Sequence, residues 1–337
     1  MRKAEFDLCR IVACIAVVAI HTVMLFWDFD PASPIWRFWN FLSLAVRFGV
    51  PLFFMLSGAL LLGRPTLDFR RHLRRLLHFL LLYFLWTLLY RVLDLRFLHL
   101  WATESDFPGL VLSGYYHLWF LPAIALCYCA LPLLHGLAYG ESENVRRGAL
   151  LLACVVIVLS TLGAVPEKPA WLAALLLPYR LEDLRYLVYM LLGRLLAERR
   201  LSGKALAFLG LAALAALLCF AALNRHCAIA AGKAVDVYYG YLQLPAALTA
   251  CFVFALCRRL ASRAAKHAGL LQGLSECSLG VYLTHPIFVD LLRSRHWDLA
   301  RFSAVWLFPL CLLSFLLLSF AAAWVLKRIP LLRRLVS

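Results

Sequence analysis

Three ionisable side chains stand in the first apolar run of the chain, FDLCRIVACIAVVAIHTVMLFW: Asp7, Arg10 and His21. Arg10 and His21 are eleven residues apart, close to three helical turns, so on a helix they share one face about 16 Å apart along the axis. Asp7, one turn before Arg10, is placed to pair with it. An Arg or Asp at the centre of a membrane helix costs about 2.5–3.5 kcal/mol on insertion scales, so such groups mark specific pairing or function. Other apolar runs carry Arg47 and His285 inside them and His117 and Arg185 at their starts. Helix rise places His21 about 9 Å inside the outer end of its run, with Arg47 at a similar depth. Packed together, these guanidinium and imidazole groups would line a polar cavity able to bind an anion or a sugar. Plainer readings stand beside that one. Arg10 can snorkel to the interface, His21 can satisfy itself on a neighbouring helix, and helix ends tolerate His117 and Arg185.

Several further features have structural explanations that come first. Tyr115, Tyr116, Trp119 and Phe120 cluster at a helix start as an interfacial aromatic belt would. Ser57 and Gly58 suit a close helix contact. The basic run Arg70, Arg71, Arg74 and Arg75 reads as a topology determinant touching lipid phosphate, or as a contact for a polyphosphorylated cofactor. No Gly-rich phosphate loop, HExxH or GxSxG is present, so ATPase, zinc-protease and serine-hydrolase chemistry have no support. Most of the 11 cysteines lie in apolar runs, where Cys behaves as a small hydrophobe. Neither a disulfide framework nor a metal site is expected.

The elements that must position these groups are long apolar helices. The 337 residues are 64% hydrophobic and 15% charged, with a mean hydropathy of +0.83; soluble domains are about 45–50% apolar and about 25% charged. The solvent this composition suits is lipid. It excludes a disulfide-stapled secreted domain, a disordered scaffold and a nucleic-acid-binding module, and the net charge of +16 is a topology signal instead. Ten spans are expected, at 8–27, 41–62, 73–93, 115–135, 147–165, 184–199, 205–223, 238–257, 275–293 and 302–326. The first carries no small-residue cleavage site, which argues against a signal peptide. The loops hold breakers such as Pro31, Pro34, Gly63, Pro65, Pro166 and Pro169, and none is long enough for a soluble domain. The expectation is therefore one all-α, polytopic integral-membrane domain over 1–337. Lys and Arg number 21 on the side holding the N-terminus and 9 on the other, which puts both termini in the cytoplasm.

Four segments, in order along the chain, resemble those of the integral-membrane acyltransferase 3 family. DLCRIVACIAVVAIH has the family's Arg, ten residues, then His, here Arg10 and His21, preceded by Asp7. RFGVPLFFMLSGALLL (47–62), YYHLWFLPAIALCY (115–128) and SLGVYLTHP (278–286) match its second-helix, mid-chain and late Tyr-x-x-His segments. The resemblance implies a multi-pass O-acetyltransferase of the bacterial inner membrane, moving acetyl from acetyl-CoA to a hydroxyl of a cell-envelope glycan or lipid-linked saccharide. It implies that His21 is the general base, taking the proton of the attacking hydroxyl, with an acetyl-His21 intermediate as the alternative. Arg10, held by Asp7, would meet CoA phosphate, with Arg70, Arg71, Arg74 and Arg75 as helpers. Arg47, His117, Trp119, Tyr282 and His285 would stabilise the oxyanion or bind the acceptor. The implied partners are acetyl-CoA, the glycan and membrane lipid, with no metal and no nucleic acid.

A second class of function uses the same polar layer as the binding site of a transporter or flippase for a glycan or lipid-linked sugar. Transporters often carry inverted repeats, and no internal symmetry is visible in this chain. A non-catalytic membrane scaffold is a third reading, and it leaves the Arg10/His21 face unexplained.

Overall fold

The computed structural model describes residues 4–27, 29–100, 114–139, 181–198, 200–260, 263, 265–295 and 304–336. The expected span at 147–165 lies outside the described residues. Within them the chain is helical, with no strand. The helices are α1 (Ala4–Val23), α2 (Pro34–Ala45), α3 (Gly49–Leu61), α4 (Phe69–Leu93), α5 (Phe120–Tyr139), α6 (Leu187–Glu198), α7 (Gly203–Ala231), α8 (Leu244–Arg259), α9 (Ala268–Ser294) and α10 (Ala304–Arg328). Short 3-10 turns occupy Leu181–Tyr186 and Val237–Tyr239. Among the described residues five stretches are long and apolar enough to cross a membrane: Ala4–Phe26, Pro34–Leu61, Phe69–Leu98, Gly203–Ala231 and Val305–Arg328.

Helix ends follow local chemistry. Ser33 Oγ accepts from Ile35 N at 3.2 Å, with Pro34 next in the first turn, where its missing N–H costs nothing. Asp68 Oδ1 accepts from Arg71 N at 3.0 Å, and this backbone donor holds the Asp68 carboxyl below its ordinary range. Ser202 Oγ accepts from Ala205 N at 3.2 Å at the start of α7. Gly232 closes that helix in the left-handed conformation, at φ 61°.

Three expected boundaries are corrected, each for a local reason. The run at 41–62 is two helices, α2 and α3, joined by a turn at Val46–Phe48. Pro51 has no N–H to give the Arg47 carbonyl, and its ring crowds that carbonyl, which disfavours a continuous helix at this turn. The expected 115–135 helix starts at Phe120, after a turn at 116–119; Pro122 acts in the same way on Leu118. In the other direction, α7 runs on to Ala231 past Asn224 and Arg225, because both polar groups find partners. Arg225 Nε donates to the Pro31 carbonyl at 2.8 Å, and Asn224 Nδ2 donates to Asn40 Oδ1 at 3.0 Å.

The chain forms two compact units, Met1–Ala59 with Leu192–Ser337, and Leu60–Leu191. In the first, α1 packs along α9 and also touches α8 and α10; α9 packs on α10, and α7 on α8 and α2. Its core includes Cys14, Val18, Val23, Trp39, Val281, Val289 and Phe315. The most hydrophobic window of α1 is 61% buried, against 22% for α7 and 17% for α10. So α1 is a central helix, while α7 and α10 present Phe208, Leu211, Leu218, Leu310, Leu313 and Leu317 outward, as suits lipid. Gly193 of α6 meets α3 where a Cβ would overlap the Met55 backbone. In the second unit α4 packs on α5, and His72 bonds through Nε2 to the Tyr128 carbonyl at 2.8 Å while stacking on that ring.

Candidate active site

Both chemistry-bearing residues of α1 face α9. Arg10 donates to Ser275 Oγ at 2.9 Å and lies 3.6 Å from Asp7 Oδ1. One turn on, the Cys14 thiol meets the Ser278 carbonyl at 3.9 Å. The His21 ring then stands 5.1 Å from the His285 ring, centroid to centroid. Contacts advance together along both helices, from 10 to 21 on α1 and from 275 to 285 on α9, so the two run parallel and share one seam. The Arg10/His21 stripe is turned onto protein.

The seam is built for two imidazoles. Pro286 gives no N–H to the Tyr282 carbonyl, which opens the local hydrogen-bond ladder beside His285. His285 Nδ1 lies 3.1 Å from the Val281 carbonyl and also faces that of Tyr282. A carbonyl only accepts, so Nδ1 carries the proton and Nε2 keeps its lone pair. His285 is fully buried and Tyr282 is buried beside it, ring centroids 6.4 Å apart, whereas His21 is half-buried. Arg47 and Arg293 are near enough to act electrostatically on His21. The fully buried Asp290 lies 3.9 Å from Arg293.

Arg47 occupies the turn between α2 and α3, with its guanidinium 5.4 Å from the Tyr239 ring and 5.2 Å from the Tyr241 ring, a cation–π arrangement. Tyr239 is fixed in turn: its hydroxyl donates to Asn40 Oδ1 at 2.6 Å and accepts from Asn224 Nδ2 at 2.9 Å, while Asn40 Nδ2 donates to the Ala221 carbonyl at 2.8 Å. Buried, the Tyr239 hydroxyl is held in place by these two amides. Sequence reasoning missed Asn40, Asn224, Tyr239 and Tyr241. The two amides inside or beside apolar runs were the available signal, since buried amides act as interhelical glue.

The other expected site residues fall in the second unit. His117, buried in the turn before α5, sits among the rings of Tyr90, Tyr115 and Tyr116 at 4.8, 5.9 and 5.5 Å. Arg91, from the end of α4, lies 5.4 Å over the Tyr115 ring and donates to the Gly114 carbonyl at 2.6 Å. Gly114 has a φ of +80° and Tyr83 against its Cα, so a side chain there would be strained and crowded. Trp119 packs on Tyr186 at 5.9 Å, and Arg185 is exposed on the adjacent 3-10 turn.

The basic run divides by face. Arg71 and Arg75, a helical turn apart, line a cavity of about 280 Å³ with Arg64, Asp68 and His72; Arg70 and Arg74 are exposed and do not line it. Arg64, missed as a site residue, is placed there by the α3–α4 connection, with its carbonyl bonded to His135 Nε2 at 2.7 Å. Three guanidiniums around one cavity favour an anionic group there. Among the described residues no group of three or more His, Cys, Asp or Glu could hold a metal ion.

A half-buried imidazole set against a buried one, with guanidiniums nearby on a helical scaffold, is an arrangement that could serve acid–base chemistry. Residues 3–328 match the family model of the acyltransferase 3 domain, described as an acyltransferase domain, and the chain belongs to that family. Over 136 residues, 36% of the chain, it is also 35% identical to a protein of Enterococcus faecalis called amino-acid racemase, and it spans 18% of that protein's length. No solved structure matches the chain.

Proposed function

We propose that the protein is an O-acetyltransferase, carrying acetyl from acetyl-CoA to a hydroxyl of a cell-envelope glycan or lipid-linked sugar at the bacterial inner membrane. The observation that carries this reading is the α1–α9 seam, with His21 against His285 and Arg10 tied to Ser275 on the same stripe. His21 accepts the hydroxyl proton as the oxygen attacks the thioester carbonyl. The field of Arg47 offsets the charge gathering on the carbonyl oxygen. When the C–S bond breaks, the imidazolium returns its proton to the departing thiolate and His21 is neutral again. Arg10, 29% exposed at its side chain, holds a donor phosphate.

The wording VPLFFMLSG, YHLWF and Met190 to Arg194 is similar to that of the O-acetyltransferase of enterobacterial common antigen, which favours an N-acetylglucosamine residue of a surface polysaccharide as acceptor. Ten spans with both termini in the cytoplasm complete the reading, supported by the basic-residue count and by α1 and α9 running parallel, as the first and ninth of ten spans would. The flippase reading has no observation in its favour.

The test is thiol release from acetyl-CoA by membranes containing the protein, with mass spectrometry of envelope glycans from cells with and without it. Release that needs His21, with an acetylated glycan present only in producing cells, supports the proposal. Undiminished release from His21→Ala removes His21 from its role, and unchanged glycans remove the acceptor class.

A further inference from the structure

Two basic clusters distant in sequence, Arg200 in the α6–α7 connection and Arg258 with Arg259 at the end of α8, converge on one cavity of about 180 Å³ in the first unit, walled also by Leu201 and Ala255. Their charges are not equally available. Arg258 is buried; its Nε lies 3.5 Å from Glu5 Oε1 of α1 and its guanidinium donates to the Leu196 carbonyl. Its charge is thus offset by Glu5. Arg200 and Arg259 are exposed, and among the described residues no carboxylate pairs with either.

The setting sharpens the imbalance. The Arg259 guanidinium lies over the first turn of α7, 3.3 Å from where a Cβ on Gly203 would stand. That end of a 29-residue helix carries the positive pole of the macrodipole, where anionic groups are favoured. No acidic residue occupies the first turn of α7; Lys204 does, in addition to the arginines. Ser202 satisfies the Ala205 N–H, and the preceding amides belong to the terminal set that an α-helix leaves without intrahelical partners. The guanidiniums of Arg200 and Arg259 at one hollow, with the α7 N-terminus against Arg259, repel each other unless an anion lies among them.

The geometry points to a phosphate-binding site in this cavity, formed by Arg200 and Arg259 beside the start of α7, with the Glu5-paired Arg258 as a third wall. The hollow, about 180 Å³, has room for a phosphate group. Guanidinium forks match phosphate oxygens in pairs. The site is separate from the α1–α9 seam: Glu5 and Arg10 are five residues apart on α1, about 140° around the helix, and Glu5 pairs toward α8 where Arg10 pairs toward α9. A phosphodiester of a phospholipid headgroup and a soluble phosphate present the same chemistry to it. An occupied site would clamp the α6–α7 connection to α8, and through Arg258 the beginning of α1.

The test uses the full chain, purified in detergent and stripped of lipid. Phosphatidylglycerol, phosphatidylcholine and inorganic phosphate are titrated separately, with binding of each read by native mass spectrometry. The variants are R200A/R259A and, as a control removing two charges elsewhere, R333A/R334A. Loss of two charge-assisted contacts is expected to weaken phosphate-group binding at least about tenfold in R200A/R259A and not in the control. Phosphatidylglycerol binding over phosphatidylcholine that is lost in R200A/R259A assigns the site to a lipid headgroup. Inorganic phosphate binding lost in the same variant, with no preference between lipids, assigns it to a soluble phosphate. Equal binding by wild type and R200A/R259A, or equal weakening in both double variants, overturns the proposal. If R200A/R259A does not elute as a folded species, R200Q is read in its place. Because binding is measured without acyl transfer, failure here leaves the acetyltransferase reading intact, and the reverse also holds.

Discussion

His21 and Arg10 share a stripe, and in the proposed reaction they have different tasks, so their substitutions should separate kinetically. Replacing His21 with Ala removes the proton acceptor, and acetyl transfer is expected to fall by about 10²–10⁴-fold, the usual contribution of a positioned base, measured as thiol release. A base must be neutral to work, so kcat/KM of the wild type should decline as pH is lowered through the ionisation of His21, one proton per turnover-competent site. The residual activity of His21→Ala should lack that acid limb. Arg10→Ala should raise the apparent KM for acetyl-CoA by about tenfold or more, the loss of one charge-assisted contact, with a smaller change in kcat. Unaltered KM and kcat in that variant would detach Arg10 from the donor. His285 was legible as an anomalous imidazole in an apolar run. That its Nδ1 is committed to backbone carbonyls was implicit in the proline that follows it, since Pro286 disrupts the ladder one turn back.

At the scale of elements, the close approaches are where a single atom matters. The Cβ of any residue replacing Gly193 would overlap the Met55 backbone, and a helix backbone cannot swing aside as a side-chain tip can. Gly193→Val should therefore push α6 off α3 and destabilise the protein by about 1–3 kcal/mol or more, seen as a lowered melting temperature in detergent. A melting temperature equal to wild type would mean that the two helices do not meet there. Proline is the signal that reading by hydropathy undervalued. Pro51 and Pro122 each lie four residues after a break, and they explain why Arg47 and His117 occupy turns instead of helix interiors. A turn frees Arg47 to reach Tyr239 and Tyr241, which a straight helix would have kept on a fixed radial direction. The division of the basic run was also available in outline. Arg71 and Arg75 are one turn apart and so are Arg70 and Arg74, but nothing in the sequence says which pair faces the cavity.

For the molecule as a whole, composition and charge asymmetry make the broadest expectations. A reporter that fluoresces only in the cytoplasm should be bright when fused after Ser337, and a periplasm-active reporter inserted near Lys233 should be active. The opposite pattern would invert the topology and place Arg10 at the outer face. The residues that sequence reasoning gathered into one polar layer fall in different units: His21, Arg47 and His285 in the first, His117 and Arg185 in the second. The first group is assembled within its own unit by the α1–α9 seam and the α2–α3 turn.

What was determined by the sequence alone is whatever depends on period and solvent. Apolar runs of about twenty residues favour helices because backbone groups in lipid have to be satisfied within the segment, and on a helix an eleven-residue spacing puts two side chains on one face whatever lies opposite. What only the tertiary structure decided is what lies opposite. That the stripe of α1 faces Ser275 and His285, that Asn40 and Asn224 close on one tyrosine hydroxyl, and that Arg200 and Arg259 come to one hollow all join residues far apart along the chain. Helical periodicity sets the direction of a side chain about its own axis; only packing sets the partner it meets there.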